Sequence, residues 1–378
     1  MSVVVQKYGG SSVADLDKLG RVADRVQATV EGGHQVVVVV SAMGNTTNEL
    51  LGLARQVTQT PDRRELDMLI SVGERVTMSL LAIALRDRGV RAVSLTGSQS
   101  GIITDEAHAD AKVVEVRPAR VQAALDAGLV VIVAGFQGVS RTREVTTLGR
   151  GGSDTTAVVL AAALQADYCE ICSDVDGVWS ADPRRVEETV RLDDMTLDEA
   201  LALARGGAKV LFEDAVRYAR DQGVDVVARS TFGPGAGTRI RAGDGPDRAI
   251  AVTGDVLECV KLGSDERASD VERVVAQGGR VRRRVGDVLY VDMRNAHGGL
   301  TGLAAALHTG AAAMVTAVGS GLGEDARWMI RAEEALREGG LAPVQAGASA
   351  DTVWWVVDPA EIDEAVRRLH AYLRTDAA

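Results

Sequence analysis

The sequence predicts an α/β protein, with helices layered on both faces of a mostly parallel sheet, followed by a smaller α+β region. Three observations carry this. Short Val-rich runs alternate with helical patterns as far as about residue 240, the order expected of a parallel sheet with crossover helices. Aromatic residues make up only 3% of the chain, so the cores must be built from Val, Ala and Leu, as in strands buried on both faces. A Gly- and Pro-rich stretch, Phe232-Gly233-Pro234-Gly235-Ala236-Gly237 and then residues 243–246, separates this region from a second pattern. The boundary divides the chain into residues 1–242 and 248–378.

The elements follow in order. Residues 3–6 form a short apolar strand, a Gly/Ser turn follows, and residues 13–30 repeat at helical spacing. Residues 35–40 are a second buried strand, and residues 47–57 and 66–88 read as helices. Strand 91–95, helix 120–127 and strand 129–134 continue the alternation, as do helix 154–165 and strand 168–173. Helices 197–204 and 210–222 and strand 224–229 complete it, and residues 315–373 read strand–helix–strand–strand–helix.

A formal net charge of -11 disfavours nucleic acid and anionic membranes as partners. No apolar run reads as a bilayer span and no signal peptide precedes the first strand, so the expected location is the cytoplasm. Cys169 and Cys172 have the C-x-x-C spacing of a redox pair or half a zinc site. No second Cys/His pair follows at ligand spacing, so two reduced strand cysteines are the plainer reading. His34, His108, His297, His308 and His370 are scattered, without ligand spacing or a nucleophile–base pattern.

Ligands of parallel sheets bind at the carboxyl ends of the strands, and four small, polar or Gly-rich turns fall there. Lys7-Tyr8-Gly9-Gly10-Ser11-Ser12 lets the backbone approach a phosphate beside a lysine; alone it could be a plain tight turn. Ser41-Ala42-Met43-Gly44 and Gly135-Phe136-Gln137-Gly138 follow two further strands. The fourth, Ser173-Asp174-Val175-Asp176-Gly177, runs on to Trp179, Asp182 and Arg184. Its acids could form the turn or serve a magnesium–nucleotide, with Trp179 against a base and Arg184 on a phosphate.

The segment Thr146–Ala157 opens a helix with three glycines, Arg150, hydroxyls and Asp154. Asp154 could be a simple N-cap, but the rest exceeds what a cap needs, and Arg150 can grip a carboxylate with two prongs. Glu74 interrupts an apolar helix, where a lone Glu is usually solvated. Anion loops, Lys and Arg without an evident nucleophile suit phosphoryl transfer, which needs positioning and charge neutralisation more than covalent catalysis.

Together these segments, with Gly73-Glu74-Arg75 and Gly207-Ala208-Lys209-Val210, resemble the aspartokinase family of the amino-acid kinase fold, in its actinobacterial form. The match runs from Val3 to about Ile240, with the motifs in the family's order. The resemblance implies a three-layer α/β/α catalytic region that uses ATP and magnesium to phosphorylate the side-chain carboxylate of L-aspartate. Lys7, Gly9, Gly10 and Ser11 would hold the ATP phosphates, with Lys7 and Asp154 catalytic. Ser41, Asn45, Thr46 and Thr47 would line the aspartate site. Glu74 would take the ammonium, and Arg150, Gly151, Gly152 and Ser153 the α-carboxylate. Ser173, Asp174, Trp179, Asp182, Arg184 and Lys209 would surround the nucleotide, and magnesium would ride on the phosphates rather than in a protein site. A homodimer or larger homo-oligomer is expected.

Two departures stand out. Phe212-Glu213-Asp214 follows Lys209-Val210-Leu211 where the family often has a basic or apolar run. The C-terminal region, expected to regulate and to hold subunits together, looks like two ACT modules of which the first is eroded. Asp265 remains from an Asp-x-Pro-Gly turn, Arg267-Ala268 replaces Pro-Gly, and a Gln-Asn effector pair is missing. Weak or absent feedback by lysine and threonine follows. The rival readings are a same-fold kinase acting on an aspartate analogue and a non-catalytic ligand-sensing subunit; the presence of Lys7 and Asp154 argues against the second.

Overall fold

The computed structural model describes residues 2–245, 250–262, 267–276, 278–294 and 308–376. Asp265 and Asn295 lie outside these residues. The chain divides into two compact units. The first comprises Met1–Val178, Asp193–Leu197 and Val210–Ala242; the second comprises Trp179–Leu192, Asp198–Lys209 and Gly243–Ala378.

In chain order the strands of the first unit are β1 (Val3–Tyr8), β2 (Gln35–Val40), β3 (Ala92–Leu95), β4 (Ile102–Thr104), β5 (Val113–Val116), β6 (Val130–Ala134), β7 (Gln137–Ser140), β8 (Val145–Thr147), β9 (Tyr168–Ser173), β10 (Asp194–Thr196), β11 (Val226–Ser230) and β12 (Thr238–Arg241). Its helices are α1 (Leu16–Glu31), α2 (Thr46–Val57), α3 (Arg63–Ile70), α4 (Val72–Asp87), α5 (Ala119–Asp126) and α6 (Gly152–Ala163). Next come α7 (Leu197–Arg205), all but Leu197 in the second unit, and α8 (Glu213–Gln222).

Eight strands form one sheet in the order β10-β12-β11-β9-β1-β2-β6-β3. Every pairing is parallel except β11 with β12. Side chains alternate across such a sheet, and both faces are covered. Val36, Val38, Val40, Ile132, Ala134 and Tyr8 pack against α1 and α4, while α6 lies on β1, β2 and β9. This is the layered α/β fold that the sequence predicts, and the parallel register brings the carboxyl ends of β9, β1, β2 and β6 side by side.

The sequence reading missed a second, four-stranded sheet, β5-β4-β7-β8. Its strands are only three or four residues long, so they carry little periodicity. The predicted helix 66–88 is two helices, because Ser71 interrupts the α3–α4 stretch. The stretch Arg63–Asp87 is also long and apolar enough to cross a membrane by length and composition alone, which corrects the expectation that none is. Half of its apolar window is buried in the protein, and Met78, Leu81, Ala82 and Leu85 belong to the core under the large sheet. The α4 part of the stretch is therefore a core helix of this unit.

The second unit contains β13 (Ala251–Lys261), α9 (Arg267–Ala276), β14 (Arg280–Val285), β15 (Val288–Asp292), β16 (His308–Val318), α10 (Ala326–Glu338), β17 (Gln345–Ser349), β18 (Thr352–Val357) and α11 (Ile362–Asp376). Its sheet runs β14-β15-β13-β16-β18-β17, antiparallel throughout. From β16 the order is strand–helix–strand–strand–helix, as predicted. The half before it has β13, α9, β14 and β15, and no closing helix among the described residues. The main core packs α10 and α11 on Val315, Ala317, Val353 and Trp355, and it takes in Ala181 and Val186.

Candidate active site

The site is built where β1 ends. In the first unit Lys7 sits between Val39 of β2 and Ile171 of β9, and its ammonium lies 2.6 Å from Asp154 Oδ1 in a nearly buried ion pair. Asp154 stands in the first turn of α6. The acid predicted as a possible N-cap therefore pairs with the lysine, and the cap position is Gly151, in the left-handed region at φ 73°. A side chain there would be strained and would overlap Phe212, 2.2 Å from an ideal Cβ.

The turn after β1 meets the turn after β2. Gly44 N donates to Gly10 O at 3.1 Å, and a Cβ on Gly10 would lie 2.9 Å from Ala42 O, so only glycine lets the two loops close. The amide of Ala42 donates to Glu74 Oε1 at 3.1 Å. Glu74 is 3% exposed, and its second oxygen, Oε2, is buried without a hydrogen-bond partner. Burial pushes its carboxyl up to about 7, partly offset by its backbone hydrogen bonds. A buried carboxylate with an open oxygen is a ready acceptor for a cation.

Around it, Thr46 Oγ1 donates to Met43 O and Asn45 Oδ1 accepts from Asn48. Ser153, also buried, opens α6 next to Asp154. Arg150 is exposed on the turn before it. Ser173 Oγ, at the end of β9, accepts from Val175 N, and Asp174 beside it is exposed.

Trp179, Asp182, Arg184 and Lys209 belong to the second unit. There Asp182 accepts from the amide and the guanidinium of Arg184, at 2.8 to 3.0 Å, which hold its carboxyl below the usual range. Lys209 is exposed.

Three supports escaped the sequence reading. Asp67, fully buried on α3, accepts from His108 Nδ1 at 2.7 Å, from Ala109 N, and from both the amide and hydroxyl of Thr147. It fixes the turn that leads to Arg150. Gln137 bridges Arg75 and Ser71 O. Glu170 joins Gln6, Arg25 and Arg229 beneath β1. Asp67 lies seven residues before Glu74, on the same face if the helix ran unbroken; that spacing was the available signal. The thiols of Cys169 and Cys172 are free and buried, and burial pushes that of Cys172 up to about 12. Both are inert core groups.

Glycine turns gathered at the carboxyl ends of a parallel sheet, around a buried Lys–Asp pair, define a kinase-type site for small anions. The model of the amino acid kinase family matches residues 2–230. An aspartokinase of Mycobacterium tuberculosis is 56% identical over 239 residues, 63% of this chain. The match spans only 57% of that relative's length. An aspartate kinase of Stutzerimonas stutzeri is 38% identical over 409 aligned positions, which cover 100% of this chain and 98% of that protein. Escherichia coli aspartokinase III, solved with aspartate and ADP, shares the fold with a TM-score of 0.83 at 24% identity, over 98% of this chain and 100% of that one. The chain belongs to the aspartokinase branch of the amino acid kinase family.

Proposed function

We propose that the protein transfers the γ-phosphoryl group of ATP to the side-chain carboxylate of L-aspartate, giving 4-phospho-L-aspartate. The observation that carries this reading is the buried Lys7–Asp154 pair, 2.6 Å apart where the glycine turns converge. Relatives named as aspartokinases, and the solved relative holding aspartate and ADP, support the choice of substrates.

The attacking carboxylate is ionised at neutral pH, since its pKa lies near ~4, so no general base is needed. Lys7 stabilises charge on the transferring group, and Asp154 aims and neutralises Lys7 between turnovers. Gly9, Gly10 and Ser11 cradle phosphate oxygens. Magnesium carried by the nucleotide phosphates would supply further charge neutralisation. Glu74 takes the substrate ammonium through its open oxygen, and Arg150, with Gly151, Gly152 and Ser153, holds the α-carboxylate. Ser41, Asn45, Thr46 and Thr47 line the amino-acid side, and Ser173, Asp174, Trp179, Asp182, Arg184 and Lys209 serve the nucleotide. Residues 1–242 act as the catalytic region and residues 248–378 as a regulatory and oligomerising one, in a homodimer or larger assembly.

The role assignments separate in steady-state kinetics. Lys7→Ala removes an interaction that strengthens in the transition state, so kcat falls by about 10²-fold or more. Arg150→Ala removes a grip on a group that does not react, so KM for aspartate rises with kcat little changed. Identical signatures for the two variants would refute the assignment.

A further inference from the structure

The segment bearing Trp179, Asp182 and Arg184 is anchored by the C-terminal helix. Residues 179–192 form a small antiparallel loop, with Trp179 bridged to Arg191. Ser180, 4% exposed, is fixed on every polar atom. Its amide donates to Val190 O and its carbonyl accepts from Val252 N of β13, both at 2.8 Å. Its hydroxyl accepts from Val190 N at 2.9 Å and meets Nε2 of His370, on α11, at 2.8 Å.

His370 is itself 1% exposed. Burial, with help from Arg374, lowers its pKa, so the ring is neutral at pH 7, and Nε2 and the Ser180 hydroxyl share one hydrogen bond in either tautomer. The same helix holds the loop elsewhere. Asp363 pairs with Arg185 at 3.3 Å, and Arg374 grips the backbone and carboxylate of Glu188. Ala181 and Val186 complete the attachment inside the core of α10 and α11.

We propose that His370 is a positioning residue for nucleotide binding: through Ser180 it fixes the segment that carries Trp179, Asp182 and Arg184, so α11 helps to set ATP affinity. The proposal rests on the reading of that segment as nucleotide-binding. An exposed loop that samples several arrangements binds more weakly in proportion to the fraction that is competent. The Ser180–His370 contact acts on that fraction and leaves the chemistry untouched.

The test measures KM for ATP, KM for aspartate and kcat in the full-length protein for Ser180→Ala, His370→Phe, His370→Gln and the double variant Ser180→Ala/His370→Phe. Trp179→Ala serves as the reference for the loop. Ser180→Ala and His370→Phe should each raise KM for ATP by about 3- to 10-fold, as expected if a third to a tenth of the loops remain competent. KM for aspartate and kcat should stay within about twofold. The double variant should be no worse than the worse single one, because both break one contact. His370→Gln, whose amide can accept from or donate to the serine hydroxyl, should restore most of the affinity.

An unchanged KM for ATP in Ser180→Ala, alongside a raised one in Trp179→Ala, would overturn the role of His370 while keeping the loop's. An unchanged KM for ATP in Trp179→Ala would overturn both, because the loop would then not serve the nucleotide. A fall in kcat and melting temperature with both KM values unmoved would mark the contact as mere structural support and would also overturn the proposal.

Discussion

Glu74 concentrates the conflict between stability and function in one side chain. It is a carboxyl buried on a helix, with one oxygen satisfied by Ala42 N and the other open. Its pKa, pushed up to about 7 by burial, means that the folded protein takes up a proton between about 4.5 and 7 that the unfolded chain does not. Stability therefore declines as pH rises through that window, by roughly 3 kcal/mol in full. Glu74→Gln should stabilise the ligand-free protein above pH 7, seen as a higher melting temperature at pH 8. The same substitution should weaken aspartate binding. In the unaltered protein only the ionised form can pair with an ammonium, so KM for aspartate should rise about tenfold from pH 8 to pH 6, and Glu74→Gln should flatten that slope. A pH-independent KM over this range would remove Glu74 from the binding role. The sequence located Glu74 but not its state, because its burial depends on Ala42 from a different loop.

At the scale of elements, the turn between β8 and α6 is held from behind. Asp67 ties α3 to Ala109 and to Thr147, three residues before Arg150. Asp67→Ala leaves at least two buried amides without a partner, and should cost about 2–4 kcal/mol in chemical denaturation; a loss under 1 kcal/mol would mean the turn stands without it. The large sheet was legible in the sequence because runs such as Gln35–Val40 and Val130–Ala134 are buried along nearly their whole length and read as continuous apolar strands. The glycine turns were legible for the same reason, since each directly follows such a run. The small sheet β5-β4-β7-β8 was not, because strands such as Ile102–Thr104 are too short to show a period. The break at Ser71 was hidden because the apolar pattern crosses it. The Asp67 network was hidden because its partners lie 41 and 80 positions away.

At the scale of the whole molecule, the sheet of the second unit has one complete strand–helix–strand–strand–helix half. In the other half, β13, α9, β14 and β15 are described without a closing helix, and the sequence lacks the Pro-Gly turn and Gln-Asn pair of the modules it resembles. An effector shifts an equilibrium only as far as it binds the two states differently, and without that turn and pair the sequence has no effector site of the kind those modules use. Lysine and threonine, singly or together at millimolar levels, should therefore inhibit weakly or not at all at sub-saturating aspartate. Strong inhibition would mean a rebuilt sensor. Sequence reading placed the boundary near residue 242, but Trp179–Leu192 and Asp198–Lys209 pack with the C-terminal unit, a long-range association that no local pattern encodes. The central claim concerns the reaction itself. Hydroxylamine traps acyl phosphates as hydroxamates, so the decisive measurement is hydroxamate formation by the purified protein with magnesium–ATP and L-aspartate, beside glutamate and aspartate analogues. ATP-dependent aspartyl hydroxamate is expected, formed about 10²-fold or more slowly by Lys7→Ala. Product from another amino acid but none from aspartate would contradict it.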